Sequence, residues 1–448
     1  MNKKALRWRP GLAAAVLIVS LPVQSGRAQD PASRTLFHNV RVLDVVKGQL
    51  GAPTDVLIEG GRIARIGKRI TPGGPVKTIE GGGRTLMPGM IDVHVHLTFS
   101  ALTMPQMLSP DLTPEKAEEA AGRQSHDMLL RGFTAVRDAG GPIFGLKRRI
   151  DSGELVGPRV WPSGAVISQT SGHGDFRLPS ERSRKFGGTV SRSELFGANF
   201  IADGTSEVLT ATRENLRFGA SQIKLMAGGG TSSEYDPIDV TQYTFEEMKA
   251  AADAAADWNT YVMVHAYTPR AVRRAIDAGV KCIEHGQLLD EATLRVMADK
   301  GIWLSTQTFA DDNPNMDPKR REKRRDIVAN NAALWTNAKK LGVKLAWGTD
   351  FLFEPDLNDK QNSYLLKLKP WFTPAEILKL VTYDNAQLLA LSGPRSPYEG
   401  RLGVVEEGAL ADLILVDGNP LAQIDLLGDS AKNFSVIMKD GKLYKGGQ

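Results

Sequence analysis

Hydrophobic and polar positions alternate with a period of two at both ends of this chain, and with a mixed pattern in its middle. In the N-terminal part, Val40-Arg41-Val42-Leu43 alternates, Asp55-Val56-Leu57-Ile58 runs into Gly60-Gly61, and Arg62-Ile63-Ala64-Arg65-Ile66 alternates again. A half-buried strand has this pattern, and the glycine pair predicts a hairpin. The C-terminal part repeats the style in Ala411-Asp412-Leu413-Ile414-Leu415-Val416, in Ser435-Val436-Ile437-Met438 and, after the turn Asp440-Gly441, in Lys442-Leu443-Tyr444. Two β-rich ends around a different middle predict one composite β-sandwich domain built by both termini, residues 29–88 with 396–448.

In the middle, short apolar runs read as strands at residues 90–94, 134–137, 159–165, 222–226, 261–265, 281–284, 303–305 and 344–346. Helical periodicity intervenes, clearest at 114–130, 245–258, 269–278 and 326–341. Eight strands alternating with helices predict an α/β fold, a (β/α)8 TIM barrel over residues 89–395. Two connections exceed what a barrel needs, 168–203 and 351–371, and both leave the C-terminal ends of strands, where this fold places active sites. They are candidate substrate loops; for the charged part 177–185 a solvated excursion or an oligomer contact fits equally well.

The first residues read as a separate module. Lys3, Lys4, Arg7 and Arg9 precede the apolar stretch 12–19, and Gly26-Arg27-Ala28 offers a cleavage site. This pattern predicts a signal peptide over 1–28 and an exported protein, periplasmic or secreted. The stretch is too short to span a bilayer, so no stable membrane span is expected after its removal. Cleavage after Ala28 removes five basic residues and no acid, leaving 51 basic against 51 acidic residues. The sequence pI of about 9.1 therefore reports the leader, and no nucleic-acid partner is expected. At 448 residues and 42% hydrophobic content the chain can bury a sizeable core. Cys282 is the only cysteine, which excludes an intrachain disulfide. Its apolar neighbours predict a packed side chain rather than a nucleophile.

Candidate chemistry is concentrated in few residues. Histidine is scarce, 7 in 448 residues, yet His94, His96, His265 and His285 all end runs that read as strands, as do Lys224 and Asp350. In Met90-Ile91-Asp92-Val93-His94-Val95-His96, alternation places Asp92, His94 and His96 on one side and the aliphatic residues on the other. Two such imidazoles can chelate one divalent ion; the alternative is a structural pair. Lys224, set between Ile223 and Leu225, must be neutral, paired or modified if it points into a barrel. Carboxylation by CO2 would make it an anion able to bridge two cations, and a rim salt bridge is the alternative. The run Gly228-Gly229-Gly230 behind it allows close backbone approach to a ligand.

His265 and His285 are natural ligands for a second ion. Alternation turns Glu284 away from them, toward a supporting or helix-facing position. Asp350, in Trp347-Gly348-Thr349-Asp350, suits both a metal ligand and a general base. His173, in the loop Ser171-Gly172-His173-Gly174-Asp175, is placed to donate a hydrogen bond to a scissile carbonyl, or is an idle loop residue. Tyr235 is a candidate substrate contact or a packing residue. His38 and His126 read as surface or packing residues.

These residues together resemble the amidohydrolase superfamily over nearly all of the chain. The flanking β-domain, the Asp92-x-His94-x-His96 strand, the barrel Lys224, two further histidines and the terminal Asp350 all match. Lys224-Leu225-Met226-Ala227-Gly228-Gly229-Gly230, Ser168-Gln169-Thr170-Ser171-Gly172-His173-Gly174-Asp175 and Gly348-Thr349-Asp350 are similar to the branch of metal-dependent Xaa-Pro and Xaa-Arg dipeptidases. The resemblance implies that His94, His96 and Asp350 hold one ion and His265 and His285 another. Both would be divalent, with zinc suiting the ligands, and bridged by carboxylated Lys224 and a hydroxide. It implies cleavage of the amide that joins an acyl group to a C-terminal amino acid, in dipeptides, N-acyl amino acids or ochratoxin A. It also implies a homo-oligomer, such as an octamer. The alternative on the same scaffold is a mononuclear deaminase or imidazolone-ring hydrolase. Against it stand Lys224 and the absence of a glutamate after His265, which is followed by Ala266-Tyr267-Thr268. A catalytically silent assembly protein would have lost ligands, and here every position is filled.

Overall fold

The computed structural model describes residues 34–309 and 316–446; the expected leader at 1–28 lies outside them. The described residues form one compact unit.

Both ends of the chain build a single sheet of eight strands. Its N-terminal members are Arg34–Asp44, Gln49–Glu59, Arg62–Gly67, Lys77–Glu80 and Thr85–Pro88, and its C-terminal ones Leu413–Val416, Phe434–Lys439 and Lys442–Lys445. The hairpin turns at Gly60-Gly61, where Gly60 takes a left-handed φ of 59°. The two halves join where Thr85–Pro88 pairs antiparallel with Leu413–Val416. Thr85–Pro88 also pairs with Arg34–Asp44 on its other side. Both of its edges are thereby used, and the ladder runs through all eight strands as one sheet instead of the two expected of a sandwich. Phe37, Val40, Val56, Ile63, Leu415 and Met438 make the apolar core on this sheet.

All eight strands expected in the middle are present, and they run parallel. Met90–Val95, Phe133–Asp138 and Arg159–Pro162 form one ladder. Ile223–Met226, Val262–Ala266, Cys282–His285, Trp303–Thr306 and Lys344–Trp347 form part of a second. The expected strand 159–165 breaks after Pro162. Gly164 has φ 78°, outside the strand region, and the chain resumes as Val166–Ser168 in the second ladder, flanked by Asn199–Ile201 from the long loop. Single backbone bonds cross the two seams between the ladders: Ser221 N donates to Pro162 O, and Asp350 N to His94 O, each at 2.8 Å.

Helices Pro114–Leu130, Phe245–Asp257 and Pro269–Asp277 lie where periodicity places them. The helix expected at 326–341 starts earlier, at Pro318, and ends at Lys340. Its first turns, Pro318-Lys319-Arg320-Arg321-Glu322-Lys323-Arg324, carry no apolar stripe, which hid them. Asp317 caps them by accepting from Arg320 N, with proline in the first turn.

Candidate active site

The six residues, from five strands, meet at one recess of about 610 Å³, open mouth included. Lys224, His94, His96, His265 and His285 are all buried, so the charge state and tautomer of each is set by its protein neighbours. His94 Nδ1 lies 2.7 Å from Glu284 Oε2, His96 Nδ1 2.8 Å from Gly140 O, His265 Nε2 3.0 Å from Gly229 O and His285 Nδ1 2.8 Å from Gln307 Oε1. Each of these partners is an acceptor, so each ring nitrogen named carries the hydrogen. The other nitrogen of each ring is left as a lone pair.

Two of those lone pairs, on His94 Nε2 and His96 Nε2, face Asp350 Oδ1 at 3.3 and 3.4 Å. Asp350 Oδ2 lies 3.7 Å from His285 Nδ1. Lone pairs opposite a carboxylate repel unless a cation or a proton lies between them. Burial disfavours the proton: it lowers His94 to about 4 and His285 to about 3, and pushes His265 well below its ordinary value. The donor set therefore fits divalent cations with imidazole and carboxylate ligands. One nitrogen or oxygen each from His94, His285 and Asp350 lie mutually within 4.8 Å. This trio takes members from both of the ligand sets that the resemblance implies. Lys224 Nζ is 3.4 Å from His94 Nε2, and burial lowers its pKa although Glu284 and Asp350 pull the other way.

Simple alternation does not explain how these side chains arrive. The pairing of Met90–Val95 with its neighbour shifts register between Asp92 and Val95. Ile91 and Val93 pack with Ala135, Met263, Cys282 and Ala346, while Asp92 points to other partners. Its carboxylate accepts from Thr349 Oγ1 at 2.7 Å, Gln361 Nε2 at 3.0 Å and the backbone N–H groups of His94 and Thr349. Asp92 thus ties the first strand end to the last and does not share a face with the ligands. Glu284 takes the supporting one of its two expected positions, holding the ring of His94. It is fully buried between His94 and Arg137, whose Nη2 donates to Oε1 at 2.7 Å. Both Glu284 and His285 reach the centre because the strand ends at His285 with φ 77°; Asp350 has φ 54°. Left-handed backbone at non-glycine residues is strained, and here it lies at two ligand positions.

Arg137 is the largest element of the site that sequence reasoning missed. Besides Glu284 it donates to Val93 O at 2.6 Å, Tyr261 Oη at 3.1 Å and Ser305 Oγ at 3.2 Å. The available signal was a charged residue inside an otherwise apolar strand, Thr134-Ala135-Val136-Arg137. Cys282 is buried as expected, its Sγ donating to Glu284 Oε1 at 3.0 Å, and burial pushes its thiol up, away from the thiolate.

His173 lies at the recess. Its ring stacks on His265 with centroids 4.0 Å apart, and Nδ1 lies 2.7 Å from Ser233 Oγ and 3.4 Å from Asp236 Oδ2. That leaves Nε2 for a ligand. The glycine run is explained by proximity: a Cβ on Gly230 would lie 1.9 Å from the His173 ring, and one on Gly229 1.7 Å from Pro237 O. Tyr235 does not line the recess. It is 40% exposed, with its hydroxyl donating to Arg177 O at 3.2 Å. It links two loops. His38 and His126 are at the surface beside Asp55 and Asp127. Both long loops contribute to the wall, through Phe176 from 168–203 and Leu352 and Phe353 from 351–371. Arg320 and Arg324, from the helix turns invisible to periodicity, complete it.

A parallel α/β core presenting imidazoles, a lysine and a carboxylate at strand ends defines a hydrolytic enzyme class, and comparison with known proteins gives the family. The chain belongs to the amidohydrolase family, whose model matches residues 85–445. It is 33% identical to the ochratoxinase of Aspergillus niger over 372 residues, 81% of this chain and 76% of that protein. The crystal structure of A. niger ochratoxinase superposes with a TM-score of 0.79 at 28% identity, covering 93% of this chain and 96% of that one. A prolidase complexed with N-methylphosphonate-L-proline superposes with a TM-score of 0.83 at 33% identity, covering 92% of this chain and all of that one. The protein is a hydrolytic enzyme with ochratoxinase and prolidase relatives.

Proposed function

We propose that the protein is a binuclear metal-dependent amide hydrolase that releases a C-terminal amino acid from N-acyl amino acids, dipeptides or ochratoxin A. The observation that carries this reading is the set of four imidazoles at one recess, each with one N–H held by the protein, two of which turn their lone pairs, on His94 Nε2 and His96 Nε2, toward Asp350. His94, His96, His265, His285, Asp350 and Lys224 would hold two divalent ions, zinc by ligand type. Burial favours Lys224 as the neutral amine, the form that adds CO2, which supports its carboxylation as a bridge between the ions. Bound ions supply Lewis acidity toward the substrate carbonyl and acidify water. The Asp350 carboxylate accepts the proton of the attacking water and returns it to the leaving amine. With Nδ1 accepting from the Ser233 hydroxyl, His173 carries its hydrogen on Nε2 and donates it to the carbonyl oxygen.

The two parallel ladders are read as one closed (β/α)8 barrel, supported by the bonds across both seams. Residues 29–88 with 396–448 are assigned to the flanking β-domain and 89–395 to the barrel. Export after removal of a leader over 1–28, and a homo-oligomer such as an octamer, complete the proposal. Phe186 and Leu195, 78% and 76% exposed on the 168–203 loop, support association. Among the described residues no helix is long and apolar enough to cross a membrane.

The test is amino-acid release by metal-replete protein from ochratoxin A and from panels of Xaa-Pro and Xaa-Arg dipeptides. Release from at least one is expected, and release from none sinks the reading. About one ion per active chain, with activity surviving Lys224→Ala, would favour the mononuclear deaminase alternative.

A further inference from the structure

We infer that Lys323 is a positioning residue for His173: its ammonium gathers the turn 230–236 onto the helix Pro318–Lys340, and that turn holds the His173 ring at the recess. The inference rests on the role given to His173 in the amide hydrolase reading.

The Lys323 ammonium donates to three main-chain carbonyls, Gly230 O at 3.1 Å, Ser233 O at 2.8 Å and Asp236 O at 2.9 Å. Three bonds are the full donor capacity of an ammonium group. The acceptors are the two ends and the middle of one turn, so a single side chain from a distant helix closes it. A further bond crosses the same turn, from Gly230 N to Asp236 Oδ2 at 2.7 Å. Residues 230–236 lie between the strand Ile223–Met226 and the helix Phe245–Asp257, outside any regular element. These bonds therefore do what a helix or a ladder does elsewhere, and fix the backbone.

The His173 ring is held by that turn at two points. Ser233 Oγ donates to His173 Nδ1 at 2.7 Å, and the carbonyl of the same serine is taken by Lys323. A Cβ on Gly230 would lie 1.9 Å from the ring, so the ring rests against a backbone whose carbonyl Lys323 also takes. The main chain of His173 joins the same assembly. His173 N donates to Gln242 Oε1 at 2.9 Å, and Gln242 Nε2 donates to Asp236 Oδ2 at 3.4 Å.

Lys323 is not among the residues lining the recess, so it meets the substrate only through His173. A hydrogen-bond donor to a developing oxyanion is effective when it is already in place, and a misplacement of about 1 Å costs about 10²-fold in rate. Three carbonyls converging on one nitrogen suit an ammonium, whereas a guanidinium spreads its donors over three nitrogens in a plane.

Hydrogen exchange and hydrolysis of an N-acyl amino acid are measured on the metal-replete protein, on Lys323→Met, Lys323→Arg and His173→Ala, and on the Lys323→Met, His173→Ala double variant. The amides of Gly230, His173 and Gly174 are hydrogen-bonded to Asp236, Gln242 and Ser168. In Lys323→Met their exchange should rise at least ~10-fold, as expected for the loss of a bond to a charged group, with the strands Arg34–Asp44 and Gln49–Glu59 unchanged. The same variant should lower kcat ~10-fold or more with a smaller change in KM, and Lys323→Arg should restore only part. In the His173→Ala background, Lys323→Met should change kcat by less than ~2-fold, since the group it positions is gone. Equal losses in both backgrounds overturn the inference. So does unchanged exchange at His173 and Gly174, or an equal rise in the terminal strands, whether or not any amide is cleaved. Faster exchange confined to these amides, with no cleavage by the unaltered protein, supports the positioning of His173 and counts against the hydrolase reading.

Discussion

Glu284 couples the buried Arg137 to the ring of His94, and this chain of charge fixes which nitrogen of that ring faces the centre. Residues that orient a metal-binding imidazole in this way are worth about 10–100-fold in metal affinity. Glu284→Gln is therefore expected to weaken metal binding by that order in a chelator competition; unchanged affinity would show that the contact does not orient His94. Arg137→Met leaves Glu284 buried without its cation, and should cost roughly 3–5 kcal/mol in denaturant unfolding. Asp350→Asn removes the proposed proton acceptor and should lower kcat by about 10²–10⁴-fold. At this scale, residue type at a strand end was legible in sequence: all six ligand candidates and His173 reach the recess. Most supporting contacts were not, because Arg137 and Gln307 are recognised only once strands distant in sequence lie side by side; Glu284 was offered as a supporting residue, but not its partners. Tyr235 shows the converse, since position just past the glycine run did not reveal that the loop turns its ring outward.

Where the elements join, polar side chains inside the fold carry the connections. Asn385 donates from Nδ2 to Ile91 O at 2.7 Å and Trp347 O at 2.9 Å, and its Oδ1 accepts from Trp347 N at 3.0 Å, linking the first and last parallel strands. Asn385→Ala strands these buried backbone groups and should cost about 2 kcal/mol or more, read as a lowered unfolding midpoint. Lys439, on the terminal sheet, donates to Gly157 O at 2.6 Å, beside Arg159 and Asp412. Burial lowers its pKa from 10.5 to about 8, partly opposed by Asp412. The folded state then binds fewer protons than the unfolded state between these values, so this residue makes stability rise as pH goes from about 8 to 10.5. In Lys439→Met protein that rise should be absent; an identical pH profile in both proteins would contradict the assignment. Element positions were largely legible because amphipathic periodicity is local. Two exceptions have local causes: Pro162 and Gly164 break an apolar run that reads as one strand, and the polar first turns of Pro318–Lys340 give periodicity nothing to detect.

Across the whole molecule, a buried polar junction helps tie the terminal strands to the parallel core. Arg159 pairs with Asp412 through two contacts of 2.9 and 3.1 Å, and Gly89 N donates to Asp412 O at 2.8 Å. The composite arrangement of the ends was legible from their shared alternating pattern. That they form one sheet was not, since strand pairing between residues over 300 positions apart leaves no local trace. The long loops supply Phe176 and Phe353 to the recess, and their wall residues follow from conformation alone.

The central claim is that this site needs two ions to cleave an amide. The most direct measurement is amine release from an N-acyl amino acid by metal-stripped protein, followed as zinc is added per chain. The account predicts no release without metal and a rise that levels at about two equivalents, the stoichiometry of a two-metal site. Full activity at one equivalent, or no release at any loading, would contradict it.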